Sequence, residues 1–304
     1  MPSRKFRIWG GQGGLLMLIA DQWKDYELLD TGYGEKLERW GRIVLRRPDP
    51  QVIWPRHLEE KEWNKADAHY LRSKTGGGHW EHNGKLPTDW TIQYKNLTFH
   101  IRPTDFKHTG LFPEQAVNWD WLTGKVRGAS GPVRVLNLFA YTGGATVALA
   151  AAGAEVCHVD AAKGMVTWAR QNAAVSGLAD RPVRWIVDDV FKFVEREKRR
   201  GRTYDGIIMD PPSYGRGPRG EVWKVEEKLY EFTDACMDLL SDRPLFFLIN
   251  SYASKFAPSV LANILKATVD RRSKGQVSCG EIGLPVSSSG LVLPCGIYGR
   301  WEAR

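Results

Sequence analysis

Four aspartates stand where an apolar run gives way to a turn: Asp160 after Glu155 to Val159, Asp188 and Asp189 after Val183 to Val187, and Asp210 after Tyr204 to Met209. Carboxylates in such places can accept hydrogen bonds from sugar hydroxyls or an amine, because open α/β sheets bind ligands outside the carboxyl ends of their strands. Asp160 lies 17 residues past Gly143 (160 − 143), near the spacing at which an acidic residue takes the ribose of an adenosine. Any one of these aspartates could equally be a helix N-cap. Asp210 fits that reading poorly, since Pro211, Pro212, Ser213 and Tyr214 follow it and lead into a glycine-rich loop.

Such groups need a frame. Val133 to Phe139 is apolar without alternation, as expected of a central parallel strand buried on both faces. Gly143, Gly144, Ala145 and Ala148 then open a helix that can lie close to a sheet, and the glycines allow backbone to approach a ligand, or serve packing alone. Leu245 to Ile249 reads as a fifth buried strand, ending in Asn250-Ser251. Helical faces fall between the strands: Met165, Trp168, Ala169, Asn172 and Val175 mark one, and Leu229, Phe232, Cys236, Leu239 and Leu240 another. Two last strands, Gln276 to Gly283 and Gly290 to Ile297, complete a doubly wound α/β pattern.

The stretches Asn137-Leu138-Phe139-Ala140-Tyr141-Thr142-Gly143-Gly144, Asp188-Asp189-Val190-Phe191 and Asp210-Pro211-Pro212 resemble the motifs of S-adenosylmethionine-dependent methyltransferases. The similarity is to the group that includes the large-subunit ribosomal RNA methyltransferases forming 5-methylcytosine and 7-methylguanine, and it covers roughly Trp90 to Trp301. It implies a Rossmann-like, seven-stranded class I methyltransferase sheet in an α/β fold, with S-adenosyl-L-methionine as cofactor. The three-glycine fingerprint of dehydrogenases is absent, since Phe139 and Tyr141 stand where tight glycines would cradle a pyrophosphate.

By that resemblance Asn137, Phe139, Tyr141, Thr142 and Gly143 shape the turn beneath the methionine moiety, and Asp160 with Ala161 meets the ribose. Asp189 accepts from the adenine amino group, with Asp188 the competing choice, and Val190 follows them. The segment Asp105 to Gln115 resembles an element that closes over the cofactor, so that Thr109, Gly110 and Gln115 line the pocket; it also reads as an ordinary helix start at Pro113. Asp210, Pro211, Pro212, Ser213 and Tyr214 face the acceptor. A carbon-5 pyrimidine target commonly needs a cysteine nucleophile, yet Ser213 and Asn250-Ser251-Tyr252 occupy the two places for one. A nitrogen target needs no covalent step: Asp210 and the Pro211 carbonyl could hold it, with Tyr214 one place later than the usual stacking aromatic.

The remaining composition bears on partners. The chain has 43 Lys and Arg against 35 Asp and Glu, a net charge of +8, which suits a polyanion. The partner expected is RNA, in particular ribosomal RNA or a ribosomal assembly intermediate; protein or small-molecule methylation and an inactive cofactor-binding module are the alternatives, and homodimerisation stays open. Cys157, Cys236, Cys279 and Cys295 show no paired spacing and read as reduced thiols of a cytoplasmic protein. Leu15 to Ala20 is too short an apolar run for a signal or a membrane span, and His79 and His82 are too isolated for a metal site.

Residues 1–90 read as a small β-rich accessory domain and 91–304 as the methyltransferase domain, with a hairpin at 91–102 and the core at 130–304. In the first part Tyr26 to Leu29, Arg42 to Leu45 and Gln51 to Trp54 read as short strands. Its tryptophans, Trp9, Trp23, Trp40, Trp54, Trp63, Trp80 and Trp90, suit either a base-stacking surface or a thin β core. The glycine loop from Ser73 to His79 reads as mobile. Tyr214 to Gly220, with Arg216 and Arg219, reads as a lid over an RNA nucleotide or as a plain connector, and Trp223 as a further stacking ring. The basic run Arg196 to Arg202 reads as a solvated helix end or a phosphate contact.

Overall fold

The computed structural model describes residues 8–9, 17–73, 77–216, 222–253 and 255–304. Two compact units divide the chain: one of Ile19–Ala116 and Gly283–Cys295, the other of Ile8–Leu18, Val117–Ile282 and Gly296–Arg304.

The chain begins with two short strands, β1 (Ile8–Trp9) and β2 (Met17–Ile19). The first unit then builds a sheet in sequential order from β3 (Tyr26–Gly32), β4 (Glu35–Trp40), β5 (Ile43–Pro48), β6 (Ala68–Arg72) and β7 (Gly78–His82), with the short helix α1 (Glu60–Trp63) before β6. A bulge between Leu28 and Asp30 shifts the register of β3 against β4. Asp30 is buried there and accepts the N–H groups of His57 and Leu58, the Trp63 indole and the Ser288 hydroxyl. Gln51 to Trp54 is coil and not the strand its sequence suggests. The segment takes its backbone bonds from the turn before β4, Tyr33 N to Trp54 O at 2.8 Å and Gly34 N to Val52 O at 2.7 Å. A separate hairpin, β8 (Trp90–Tyr94) with β9 (Leu97–Ile101), completes this unit.

The described tryptophans of this unit are core and braces. Trp40 and Trp63 are buried. Trp23, Trp54, Trp80 and Trp90 donate their indole N–H to Pro113 O, Thr31 Oγ1, Thr104 O and Trp40 O at 2.9–3.0 Å. Each ring spends its polar atom inside the protein, as buried indoles usually do. Lys74, Thr75 and Gly76 of the glycine loop, and the Trp9 side chain, lie outside the described residues.

After helix α2 (Ala116–Arg127) the second unit alternates β10 (Arg134–Leu138), α3 (Gly144–Ala152), β11 (Glu155–Asp160), α4 (Lys163–Val175), β12 (Val183–Val187), α5 (Val190–Arg199) and β13 (Gly206–Met209). A two-stranded hairpin follows, β14 (Tyr214–Arg216) and β15 (Val222–Lys224), then α6 (Val225–Ala235), β16 (Phe246–Ser251), α7 (Pro258–Ala267), α8 (Val269–Arg272), β17 (Gly275–Pro285) and β18 (Val292–Ala303). The large sheet runs β1-β2-β17-β18-β16-β13-β10-β11-β12. Among the described residues it therefore has nine strands, the expected seven plus β1 and β2 at its edge.

Strands β12, β11, β10, β13 and β16 are parallel neighbours, and β18 lies antiparallel to β16. Leu136, Leu138, Val159, Ile207, Met209, Phe247 and Ile249 are buried on this sheet, which is why their strands lack alternation. Strand order reverses at β10, with β11 on one side and β13 on the other, and that reversal opens a crevice at the carboxyl ends. Among the described residues no helix is long and apolar enough to cross a membrane.

Candidate active site

The carboxyl ends of β10, β11, β12 and β13 are stitched together by backbone. Ala140 N donates to Val159 O at 3.1 Å, Asp188 N to Asp160 O at 3.1 Å and Asp210 N to Leu138 O at 3.4 Å. Asn137 to Gly143, Asp160 and Ala161, Asp188 to Val190 and Asp210 to Tyr214 therefore gather along one edge of the sheet. Thr109, Gly110 and Gln115 belong to the other unit. There Thr109 is buried, and its hydroxyl has no hydrogen-bond partner among the described residues.

The turn after β10 is strained. Phe139 and Tyr141 both have positive φ, 54° and 50°, a conformation costing a non-glycine residue about 1–3 kcal/mol. Asp160 holds the turn in place: its Oδ2 accepts Tyr141 N at 2.8 Å, and its Oδ1 accepts Ala162 N at 2.9 Å. A carboxylate has room for about four donors, so capacity for hydroxyl donors remains. Burial pushes the Asp160 carboxyl up, against the lowering effect of those two N–H groups.

Gly143, at φ +80°, begins α3 at a close approach: a Cβ there would come within 2.9 Å of the Ala169 Cβ. Asn137 turns its amide into the fold, donating to Thr146 Oγ1 at 2.9 Å, and Thr146 in turn meets His158 Nδ1 at 2.9 Å. Burial lowers the His158 pKa to about 3, which keeps this chain neutral. The Thr142 carbonyl accepts the Asn172 amide at 2.8 Å. These side chains shape the turn from behind.

The two neighbouring aspartates differ. Asp188 is ion-paired with Arg196, and its Oδ1 accepts Asp189 N at 2.9 Å. Asp189 caps α5 through Lys192 N at 3.0 Å, so the N-cap reading holds for it. Val190 is buried in the core as the first residue of α5. The basic run at the end of that helix is largely paired, Lys198 with Glu195 and Asp238, and Arg200 with Glu197.

The Asp210-Pro211-Pro212-Ser213-Tyr214 segment is clamped from the strand that follows it. Pro212 O accepts the Trp223 indole N–H at 2.5 Å, and Ser213 O accepts Val225 N at 3.1 Å. Trp223 is therefore no exposed stacking ring. It is only 8% exposed and packs on Phe139, Phe191 and Phe232, with ring centroids 5.6, 5.3 and 6.1 Å away. One buried indole thus ties the Asp-Pro-Pro turn to the strained turn after β10. Sequence spacing missed this role, because the signal is a β14–β15 pairing that sets Gly215 opposite Trp223. Tyr214 is exposed on that hairpin, while Arg219 lies outside the described residues.

Residues 65–225 match the S-adenosylmethionine-dependent methyltransferase family. A methyltransferase of this kind from Agrobacterium tumefaciens, known as a crystal structure, is 36% identical and superposes with a TM-score of 0.90 over the whole of both chains. The chain belongs to the S-adenosylmethionine-dependent methyltransferases. Ribosomal RNA large subunit methyltransferase K of Neisseria meningitidis is 27% identical over 83% of this chain and 72% of its own length. Methyltransferase K/L of Shewanella frigidimarina is 32% identical over 47% of this chain, but the match spans only 20% of that longer protein.

The residues fit the methyltransferase cofactor. S-adenosylmethionine supplies an activated methyl on a sulfonium and carries no phosphate, so it needs no bare glycine cradle of the kind that Phe139 and Tyr141 preclude. Among the described residues no group of His, Cys, Asp and Glu could hold a metal ion. Cys157 and Cys236 are buried; burial pushes the first up to about 11 and raises the second further.

Proposed function

We propose that this methyltransferase modifies a base in structured ribosomal RNA, at a nitrogen and without a cysteine nucleophile. The observation that carries the reading is the clamped Asp-Pro-Pro turn. Trp223 and Val225 hold the Pro212 and Ser213 carbonyls, and this fixes the turn on which the Asp210 carboxylate and the Pro211 carbonyl would meet an amine. The similarity to large-subunit ribosomal RNA methyltransferases supports the substrate class, as does the net charge of +8.

In this reading Asp160 accepts the ribose hydroxyls, Asp189 or Asp188 the adenine amine, and Phe139, Tyr141 and Gly143 shape the floor under the methionine end. The protein's task is alignment, which can supply about 7–11 kcal/mol of a barrier. Tyr214, exposed beside the turn, stacks on the acceptor base. Transfer of tritiated methyl into cell extract tests the proposal, with nuclease-treated and protease-treated aliquots and Asp210→Ala as control. Nuclease-sensitive label that Asp210→Ala abolishes supports it, and nucleoside mass spectrometry then names the atom. Label that survives nuclease but not protease overturns the RNA reading, and 5-methylcytosine as the product overturns the nitrogen target.

A further inference from the structure

Arg300 is a cation buried in the second unit, only 6% exposed, with its guanidinium 4.6 Å from the ring centroid of Tyr298 and 4.7 Å from that of Trp121. Among the described residues no carboxylate comes within ion-pair distance of it, and Glu302, two residues on, is engaged by Lys125. Burial lowers its pKa to about 10, which leaves it charged at neutral pH. Its donors go to neutral oxygens: Nε and Nη2 meet Asn118 Oδ1 at 3.1 and 2.5 Å, and Nη2 also meets Val117 O at 3.2 Å.

Such a cation is costly to bury, and what it supplies is direction. An arginine side chain has donors and no acceptor, so it fixes which end of the Asn118 amide is the oxygen. The Asn118 nitrogen then donates to Asn250 Oδ1 at 2.8 Å, and the end of the Asn250 amide left over is a donor. Two amides that could each lie either way round are set in one sense by a charge.

Asn250 stands where that sense matters. Strands β13 and β16 are parallel, with Met209 opposite Ile249. One step further along both chains sets Asn250 beside Asp210 at the carboxyl edge, where neighbouring strands lie about 4.8 Å apart. The Asn250 amide nitrogen meets no acceptor among the described residues, and it is not one of the sealed polar atoms that lack a partner. It therefore reaches open space. The neighbouring Ser251 hydroxyl is turned back to the chain, accepting Ala253 N at 3.2 Å.

We infer that Asn250 is a specificity-determining residue, donating its amide N–H to the atom of the substrate base next to the amine that Asp210 takes, and that Arg300, acting through Asn118, is the positioning residue that sets this polarity. The inference rests on the nitrogen target proposed above and adds the base edge that is read with it. In adenine, cytosine and guanine the exocyclic amine lies beside a ring nitrogen that accepts a hydrogen bond. A carboxylate and an amide donor side by side match that pair as one unit, whereas two acceptors side by side leave the ring nitrogen unpaired.

The test measures initial rates of methyl transfer to RNA extracted from cells that lack the protein, over a range of RNA concentrations, together with S-adenosylhomocysteine affinity and the thermal midpoint. Asn250→Asp keeps the acceptor for Asn118 and replaces the outward donor by an oxygen, so kcat/KM for RNA falls about ten- to hundredfold while S-adenosylhomocysteine affinity stays. Asn118→Asp separates positioning from structure. It gives Arg300 a carboxylate, so the thermal midpoint holds or rises, but it removes the donor to Asn250, whose amide turns round to meet the new carboxylate; kcat/KM falls as in Asn250→Asp. A loss confined to Asn250→Asp overturns the positioning role of Arg300. If S-adenosylhomocysteine affinity falls as far as the rate, Asn250 serves the cofactor and the inference falls. If the parent methylates RNA and both variants match it, the inference falls and the proposed function stands. If the parent transfers no methyl to RNA, both fall.

Discussion

The two units bury polar groups in different ways. In the first, charge goes inside with its partner: Glu38 is fully buried, doubly bonded by Arg47 at 2.6 and 2.8 Å, and takes the Tyr26 hydroxyl at 2.8 Å. In the second, much of the buried polar material is neutral, as in Asn137–Thr146–His158 and in the Asn118–Asn250 bond of 2.8 Å; Glu197, held by Tyr204, Arg184 and Arg200, is an exception. A thin β sheet has little apolar volume and closes on paired charges. A large parallel sheet covered by helices has enough, and can leave its carboxylates at the edge for ligands.

That contrast can be broken first at Glu38. Glu38→Ala leaves Arg47 buried and uncompensated, which costs about 3–5 kcal/mol. Urea denaturation measures it, and a loss under 1 kcal/mol means the pair is not what holds the first unit. The corresponding change at the edge of the second unit, Asp160→Ala, acts on the ligand instead. Calorimetry is expected to show S-adenosylmethionine binding weakened about ten- to hundredfold; unchanged affinity removes Asp160 from the site.

A smaller effect sharpens the role of the aromatic brace. Trp223→Phe keeps the ring packing and removes the N–H to Pro212 O, so kcat falls about three- to tenfold while S-adenosylhomocysteine affinity stays. A fall in affinity with unchanged kcat would place Trp223 with the cofactor turn alone. The smallest effect concerns acid. Burial alone would raise the Glu35 carboxyl, but hydrogen bonds from His69 and Arg46 hold it down at about 2. The stability from this lowered pKa is present above the ordinary carboxylate range and is lost as pH falls through about 4.5 towards 2. The gap in thermal midpoint between the parent and Glu35→Gln should therefore close over that window, and a gap that stays constant refutes the coupling.

The same contrast explains how much could be read in advance. Strands β10, β11, β13 and β16 were legible because a strand buried on both faces is written as an apolar run, and the edge strand β12, which has no buried residue, was legible from its β-branched and aromatic residues. The edge aspartates followed from where those runs stop. Strand β4, Glu35–Trp40, was not legible, since Glu35, Lys36, Glu38 and Arg39 break the alternation and their burial depends on partners in β3, β5, β6 and the coil around Asp49 and Arg56. Gln51 to Trp54 misled in the opposite sense. Its apolar residues suit a strand, but its hydrogen-bond partners are a turn, and composition does not reveal partners.

By itself the sequence determined the α/β alternation, the glycine-marked turn and the acidic groups at the strand ends, because these follow from local periodicity and from which residues can occupy a turn. Only the tertiary structure decided that Trp23, Trp54, Trp80 and Trp90 brace the first unit while Trp40 fills its core, that Trp223 grips the Asp-Pro-Pro turn, and that Phe106 faces water. Those outcomes depend on which distant backbone group each side chain meets. An indole carries one donor and a large ring, and it is equally suited to a core, a brace or a surface until the rest of the chain has folded around it.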